Sequence, residues 1–88
     1  MQRTVTIVNR LGLHARAAAK LVTLAGRFGS EIRVRAGERE VSGKSIMGVL
    51  MLAAAQGTKI TLLAEGPDAR AALDALCALA ADRFEEDS

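Results

Sequence analysis

The sequence is poor in the residues from which most ligand and metal sites are built. Its 88 residues include one histidine, one cysteine and two phenylalanines, and tryptophan and tyrosine are absent. A single cysteine, Cys77, excludes an internal disulfide, and no Cys/His set exists for zinc, so we expect no metal or cofactor. Cys77 stands at helical spacing from Leu73, Leu76 and Ala80, which predicts a packing role. With so few aromatic residues, the core must be built from Ala, Leu, Val and Ile.

Long apolar segments are missing as well. The N-terminus, MQRTVTIVNR, lacks the apolar region of a signal peptide, and the longest apolar run, IMGVLMLAAA, is far short of a membrane span. The composition, 50% hydrophobic and 25% charged, is typical of a globular chain. These features predict a single domain over residues 1–88, cytoplasmic and without membrane insertion.

Charge is unevenly divided along the chain. Residues 1–44 carry nine Lys or Arg against three Asp or Glu, a net +6, whereas residues 45–88 carry three against seven, a net −4. The basic half contains His14 and favours an anion or an acidic partner surface. Ordinary solvated charge also accounts for so small an excess.

Apolar periodicity predicts seven elements. Alternation with β-branched residues predicts strands, and 3.6-residue spacing bounded by Gly, Pro or a capping Ser predicts helices. The expected elements are strands at 4–8, 31–36, 38–42 and 58–65, and helices at 15–28, 46–55 and 67–83. The acidic end, EEDS, is expected to fray. The order β-α-β-β-α-β-α predicts an α+β fold, an open-faced two-layer sandwich with three helices on one face of a four-stranded antiparallel sheet.

The stretch GLHARAAAKLV, residues 12–22, places the only histidine where a helix begins. The first N–H groups of a helix lack partners and carry partial positive charge, so phosphate oxygens are their natural ligands. A phosphoryl group on the His14 ring would meet these N–H groups and the guanidinium of Arg16. On spacing alone, an exposed loop histidine that caps the helix is the simpler interpretation.

Ser45 ends the triplet GKS at residues 43–45, which resembles the end of a nucleotide-binding P-loop. That motif requires glycine at position 38, where the chain has Glu38, so the P-loop is excluded. Ser45 is then a helix N-cap, or an exposed cap serine that is also phosphorylated for regulation.

The helix after Ser45 has more apolar residues than packing on a sheet requires. One stripe at i, i+3, i+4 and i+7 spacing is enough for the core, and it comprises Ile46, Val49, Leu50 and Ala53. Met47 and Met51, four residues apart, fall on a neighbouring face. Methionines outside the core suggest a docking surface, although a wide core stripe explains them equally well.

Together these stretches resemble the histidine-containing phosphocarrier proteins, the HPr family, of the bacterial phosphoenolpyruvate-dependent phosphotransferase system. GLHARAAA is similar to the phosphohistidine motif of that family, and VSGKSIMGVLML is similar to its regulatory-serine motif. The similarity extends over essentially the whole chain and includes the HPr-like order of elements. HARAAAKLV and GKSIMG look closer to the nitrogen-related branch, NPr, than to the sugar-uptake branch.

The resemblance implies a role for each matched residue. His14 corresponds to the phosphorylated histidine, through Nδ1, Arg16 to the arginine that assists it, and Ser45 to the serine modified by an HPr kinase/phosphorylase. Many family members have proline after the arginine, where this chain has Ala17, which a first helical turn accommodates. The partner interface is expected to include Ala17, Met47, Leu50 and Met51.

The implied activity is that of a monomeric carrier rather than an enzyme. Enzyme I, phosphorylated from phosphoenolpyruvate, would pass its phosphoryl group to His14, and His14 would pass it to a IIA-type protein. One alternative is a purely regulatory phosphoprotein that acts by protein–protein interaction. Another is a small RNA-binding domain with a partly similar element order. We expect no nucleic acid partner, because the predicted strands contain no aromatic residue on which bases could stack.

Overall fold

Four strands and three helices follow one another in the computed structural model, which describes residues 1–88. The strands are β1 (Gln2–Thr6), β2 (Glu31–Ala36), β3 (Arg39–Ser42) and β4 (Lys59–Glu65), and the helices are α1 (Ala15–Ala25), α2 (Ile46–Met51) and α3 (Ala69–Ala81). A short 3-10 helix, Arg83–Glu85, follows α3. All neighbouring strands are antiparallel, in the order β1-β4-β2-β3. The predicted element order and the α+β fold are confirmed.

The helices cover one face of the sheet because apolar and polar residues alternate along the strands. Ile32 and Val34 of β2, and Ile60 and Leu62 of β4, are at most 1% exposed, whereas the residues between them are partly exposed. Val34 lies opposite Leu62, so the inward side chains form one continuous layer. α3 packs on β1 and β4, and α1 packs against both other helices. The resulting core of 19 buried apolar residues has one aromatic member, Phe84.

α2 is shorter than the sequence predicts. The pattern predicts a helix to Ala55, but the helix ends at Met51. Ala53 has a positive φ of 50°, and the carbonyl of Ala54 accepts the N–H of Leu13 at 2.8 Å instead of a helical donor. A contact with the loop before α1 therefore stops the helix. Each helix in the structure is too short or too polar to cross a membrane.

β1 and α1 are displaced by a few residues from their predicted bounds. The strand predicted at 4–8 begins and ends two residues earlier, and Ile7, which follows it, stays fully buried. α1 ends at Ala25 rather than at Phe28, because the N–H groups of the next turn bond carbonyls three residues back, at 3.0 and 3.2 Å. Such bonds tighten the last turn and end the α-helix.

The C-terminal segment departs most from expectation, since it is held against α1 instead of fraying. α3 ends at Ala81 rather than Arg83, and three consecutive residues, Arg83, Phe84 and Glu85, take left-handed φ values of 57°, 52° and 65°. This turn carries the Phe84 ring into the core, where it is 1% exposed. Lys20 of α1 donates its Nζ to the Phe84 carbonyl at 3.1 Å and pairs with Glu85 at 3.2 Å. The prediction of a frayed end is wrong.

Asp68, just before α3, clamps the connection between α1 and β2. Its carboxylate accepts the backbone N–H groups of Gly29 and Ser30, each at 2.9 Å, and the hydroxyl of Ser30. These hydrogen bonds, the hydroxyl foremost, favour the charged form, while burial opposes them. Together they hold the pKa of Asp68 below its usual value of 3.8.

Asp68→Asn is expected to flatten the acid dependence of stability. Because the folded-state pKa of Asp68 is lowered, its stabilising contribution is present above the usual carboxyl pKa and is lost as the pH falls through the folded value. The variant should melt at a lower temperature than the wild type near neutrality, and the two should converge in acid. Asp82→Asn, which removes an exposed carboxylate, is the control. A constant difference between Asp68→Asn and wild type at every pH would contradict the clamp.

Candidate functional site

The loop that joins β1 to α1 carries His14, and its backbone is fixed against the segment after α2. Gly12 has a positive φ of 66°, and a Cβ at this position would overlap the carbonyl of Ala54 and lie 2.9 Å from the Cα of Ala55. The next residue, Leu13, donates its N–H to the Ala54 carbonyl at 2.8 Å. Only glycine fits both the conformation and the close approach. The loop therefore holds His14 at a defined point.

His14 is the N-cap of α1, as its position in the sequence predicts. Its backbone is extended (φ −74°, ψ −179°), and its carbonyl accepts the N–H of Ala18 at 2.8 Å. Its ring Nδ1 accepts the N–H of Arg16 at 3.3 Å. The side chain is 27% exposed. The two interpretations of His14, as a helix cap and as a phosphoryl acceptor, are therefore compatible. The Nδ1 that accepts the N–H of Arg16 faces the helix N-terminus that would bind a phosphoryl group.

The other ring nitrogen is held by the C-terminal tail. Nε2 of His14 forms a hydrogen bond with the carboxylate of Glu86. The second carboxylate oxygen accepts the side-chain N–H of Asn9 at 2.8 Å, and Asn9, which is fully buried, also donates to the carbonyl of Gly12 at 2.8 Å. Burial raises the pKa of Glu86, but the hydrogen bonds from Asn9 and His14 lower it. Nearby charges lower it further, so the pKa stays below its usual value.

The sequence alone did not indicate Asn9 or Glu86. Glu86 belongs to the segment expected to fray, and it lies 72 residues from His14 along the chain. No local pattern in EEDS distinguishes the residue that contacts the ring from its neighbours. The contact depends on the left-handed turn after α3, which brings the tail back to the β1–α1 loop.

Arg16 lies in the first turn of α1, two residues after His14. Its guanidinium takes part in none of the ion pairs of the chain. Its side chain lines a groove of about 330 Å³ along α1, together with Lys20, Arg27 and Glu85. Lys20 is paired with Glu85, which leaves two free guanidinium groups along the groove. These free cations favour an anionic ligand or an acidic surface.

Ser45 is the N-cap of α2. Its hydroxyl accepts the N–H of Gly48 at 3.1 Å, and its carbonyl accepts the N–H of Val49 at 3.0 Å. The residue is exposed. The cap prediction is confirmed, and the hydroxyl is open to solvent while it caps the helix.

α2 presents a wider apolar face to solvent than predicted. Met47 and Met51 are 66% and 58% exposed, which places them outside the core and excludes the wide core stripe. The predicted core stripe is only partly correct, because Val49 is fully buried but Ile46 is 41% exposed and Ala53 is exposed. The helix is too short to bury a four-residue stripe, since it ends at Met51 and Ala53 lies beyond it.

Two residues assigned to the partner interface are less accessible than expected. Ala17 is fully buried on the inner face of α1, with Ala18 and Leu21, so its side chain is not available to a partner. The assignment of Ala17 is therefore wrong. Leu50 is half-buried and packs against the core, so only part of its side chain extends the exposed face of α2.

The site offers one nucleophile, which lies between a helix start that favours anions and the carboxylate of Glu86. The nucleophile is the Nδ1 lone pair of His14, which faces the backbone N–H of Arg16 at the start of α1, and the guanidinium of Arg16 is in no ion pair and can bind an anion. No group of three His, Cys, Asp or Glu side chains is arranged to hold a metal ion. Such a site can accept an anionic group on nitrogen and release it again, with positioning and charge supplied by the protein.

Proteins of one known family are similar in sequence to this chain over nearly its whole length. The family described as PTS HPr component phosphorylation site matches residues 1–82. A phosphocarrier protein HPr from Cupriavidus necator is 56% identical over 86 residues, which cover 98% of this chain and 97% of the relative. A phosphocarrier protein NPr from Shewanella violacea is 53% identical over 88 residues, which cover 100% of this chain and 97% of the relative.

The fold is shared as well. The crystal structure of HPr-C-His from Thermoanaerobacter tengcongensis superposes with a TM-score of 0.96 at 41% identity, covering 100% of this chain and 99% of that one. The likeness therefore includes the β1–α1 loop, all three helices and the C-terminal turn. Agreement over the whole length, in sequence and in structure, shows that the chain belongs to the HPr family of phosphocarrier proteins.

Proposed function

We propose that this protein accepts a phosphoryl group from phosphorylated Enzyme I on Nδ1 of His14 and passes it to a IIA-type protein. The observation that carries the proposal is the position of His14 as N-cap of α1, with Nδ1 facing the N–H of Arg16 at 3.3 Å. A phosphoryl group on this nitrogen would replace the ring as the ligand of the helix N-terminus. In this role the protein would need no cofactor. It would act as a monomer, in the cytoplasm with Enzyme I.

The chemistry at His14 is a reversible exchange of one bond. The lone pair of Nδ1 attacks phosphorus, a nitrogen–phosphorus bond forms, and the bond between phosphorus and the donor breaks with its electron pair left on the donor. Arg16 is proposed to bind the oxygens of the moving group. The resulting phosphoramidate has a good leaving group, so it suits relay rather than storage. Positioning carries most of phosphoryl transfer, which is why a small domain can take part with apparatus contributed by its partners.

The proposed partner surface combines an apolar and a basic part. The apolar part is the exposed face of α2, formed by Met47 and Met51 with the accessible part of Leu50. The basic part is the α1 groove with the free guanidinium groups of Arg16 and Arg27. An acidic partner would be steered to the groove by charge and held on α2 by apolar contact.

The experiment that tests the proposal is incubation with phosphoenolpyruvate and Enzyme I of the sugar or nitrogen-related branch, each in turn. Intact mass should show one added phosphoryl group, acid-labile and base-stable, with at least one of the two enzymes. Addition of IIA-type proteins of the same branch should then discharge it. No phosphorylation with either Enzyme I would overturn the proposal. Phosphorylation without discharge to any IIA protein would instead favour a purely regulatory phosphoprotein.

Ser45→Asp is expected to slow phosphorylation of His14 by Enzyme I about tenfold without unfolding the protein. Aspartate is a good N-cap, so the bond to the N–H of Gly48 can be retained. Its charge, like that of a phosphate placed there by a kinase, would have to be desolvated beside the apolar face that contains Met47. It would also meet the acidic groups of a partner suited to the basic groove.

The measurements are the initial rate of His14 phosphorylation and the melting temperature for wild type, Ser45→Ala and Ser45→Asp. Ser45→Ala is the control, since it loses the cap, at a cost of about 1 kcal/mol, but adds no charge. Equal rates for all three proteins would leave Ser45 as a helix cap and nothing more.

A further inference from the structure

We propose that Glu86, in the C-terminal tail, is a positioning residue that holds the proton of His14 on Nε2, so that Nδ1 carries no proton and its lone pair can attack phosphorus. The role in phosphoryl transfer rests on the proposed function above. The hydrogen bonding itself does not. Three sets of contacts support the inference: those of Nδ1 of His14, those of Nε2 of His14 and those of the Glu86 carboxylate.

The two ring nitrogens of His14 face opposite kinds of partner. Nδ1 lies 3.3 Å from the backbone N–H of Arg16, which can only donate, so this long hydrogen bond favours an Nδ1 that carries no proton. Nε2 faces the carboxylate of Glu86, which when ionised can only accept, so Nε2 must donate. A neutral imidazole has one N–H, and both contacts place it on Nε2.

The carboxylate of Glu86 is held in place rather than swinging in solvent. Its side chain is 13% exposed, and its other oxygen accepts a hydrogen bond from Asn9 at 2.8 Å. Asn9 is fully buried and tied to the carbonyl of Gly12 in the same loop as His14. Two residues before Glu86, the Phe84 ring is buried in the core. The carboxylate is therefore positioned from the loop on one side and from the tail on the other.

The hydrogen bond between Glu86 and His14 has its largest effect during transfer of the phosphoryl group. When Nδ1 attacks, the new nitrogen–phosphorus bond uses the Nδ1 lone pair, the donor leaves with its own electron pair, and Nε2 keeps its proton. The ring then carries positive charge, which the adjacent carboxylate stabilises. The other charged groups on this side are Arg16 and Lys20 of α1 and Glu85 and Asp87 of the tail. None of these four makes a hydrogen bond to the ring from its side chain.

The test compares Glu86→Ala with Asp87→Ala, which removes the neighbouring carboxylate that takes part in none of the ion pairs of the chain. Nitrogen-15 NMR of the ring reports the tautomer without any partner protein. Phosphoramidate, a small donor that releases ammonia as the nitrogen–phosphorus bond to His14 forms, reports the reactivity of Nδ1. Melting temperatures of both variants show whether the fold is retained.

In the wild type and in Asp87→Ala, we expect the Nε2–H tautomer and equal rates of phosphorylation within about twofold. In Glu86→Ala, we expect a mixture of tautomers and a rate about tenfold lower, the effect of one hydrogen bond to a charged group. The Nδ1–H tautomer in the wild type, or an unchanged tautomer and rate in Glu86→Ala, would overturn the inference. Because neither readout uses Enzyme I, failure of the proposed carrier function would appear separately, as no phosphorylation by that enzyme.

Discussion

In the His14→Ala variant, phosphorylation by Enzyme I and phosphoenolpyruvate is expected to fall to zero. His14 is the only histidine of the chain, so the variant has no other imidazole that could take the phosphoryl group. Alanine also removes the acceptor for the N–H of Arg16, and loss of an N-cap costs about 1 kcal/mol. The fold should survive this cost, because the buried core does not include the His14 ring.

A matched variant separates the loss of the nucleophile from the loss of the cap. Asparagine is a preferred N-cap residue, so His14→Asn should regain the stability that His14→Ala loses, yet remain without phosphate. Intact mass and acid lability, with circular dichroism and thermal melting for the fold, are the measurements. Acid-labile phosphate on either variant would show that His14 is not the acceptor, and the proposed function would lose its central residue.

Phe84→Ala is expected to cost about 3–5 kcal/mol of the free energy of unfolding, which is a large share of the stability of a domain of this size. Phe84 is 1% exposed and is the one aromatic ring among the buried core residues. Its removal leaves a cavity that neighbouring aliphatic side chains can fill only partly. The ring also anchors the turn that carries Glu86, so the tail should detach from His14.

Urea unfolding of Phe84→Ala and of Phe28→Ala measures this effect against a matched control. Phe28 is half-buried and packs at the edge of the core, so its loss should cost clearly less. Hydrogen–deuterium exchange should show faster exchange of the tail in Phe84→Ala alone. A cost below about 1 kcal/mol for Phe84→Ala would mean that the core closes over the cavity and that other contacts hold the tail.

The functional residues that the sequence indicated are those whose surroundings consist mainly of residues close to them along the chain. Strand alternation, helical spacing and caps are local properties, so the element order and the helix starts at His14 and Ser45 followed from pattern. The same periodicity placed Met47 and Met51 beside the core stripe but left open whether they are exposed, which the structure decided. The motif around His14 indicated the candidate site because a phosphate-binding helix start needs only a short run of residues.

Tertiary structure decided where these elements end and what surrounds His14. α2 stops early because the carbonyl of Ala54 bonds to a loop 41 residues before it, at Leu13. Ala17 is buried because α1 turns that face inward, and no pattern of small residues marks it. The tail returns to His14 through a turn of left-handed residues and the burial of Phe84. Local spacing determines the period of an element and the residue that caps it, whereas a hydrogen bond between residues 72 positions apart exists only once the core has folded.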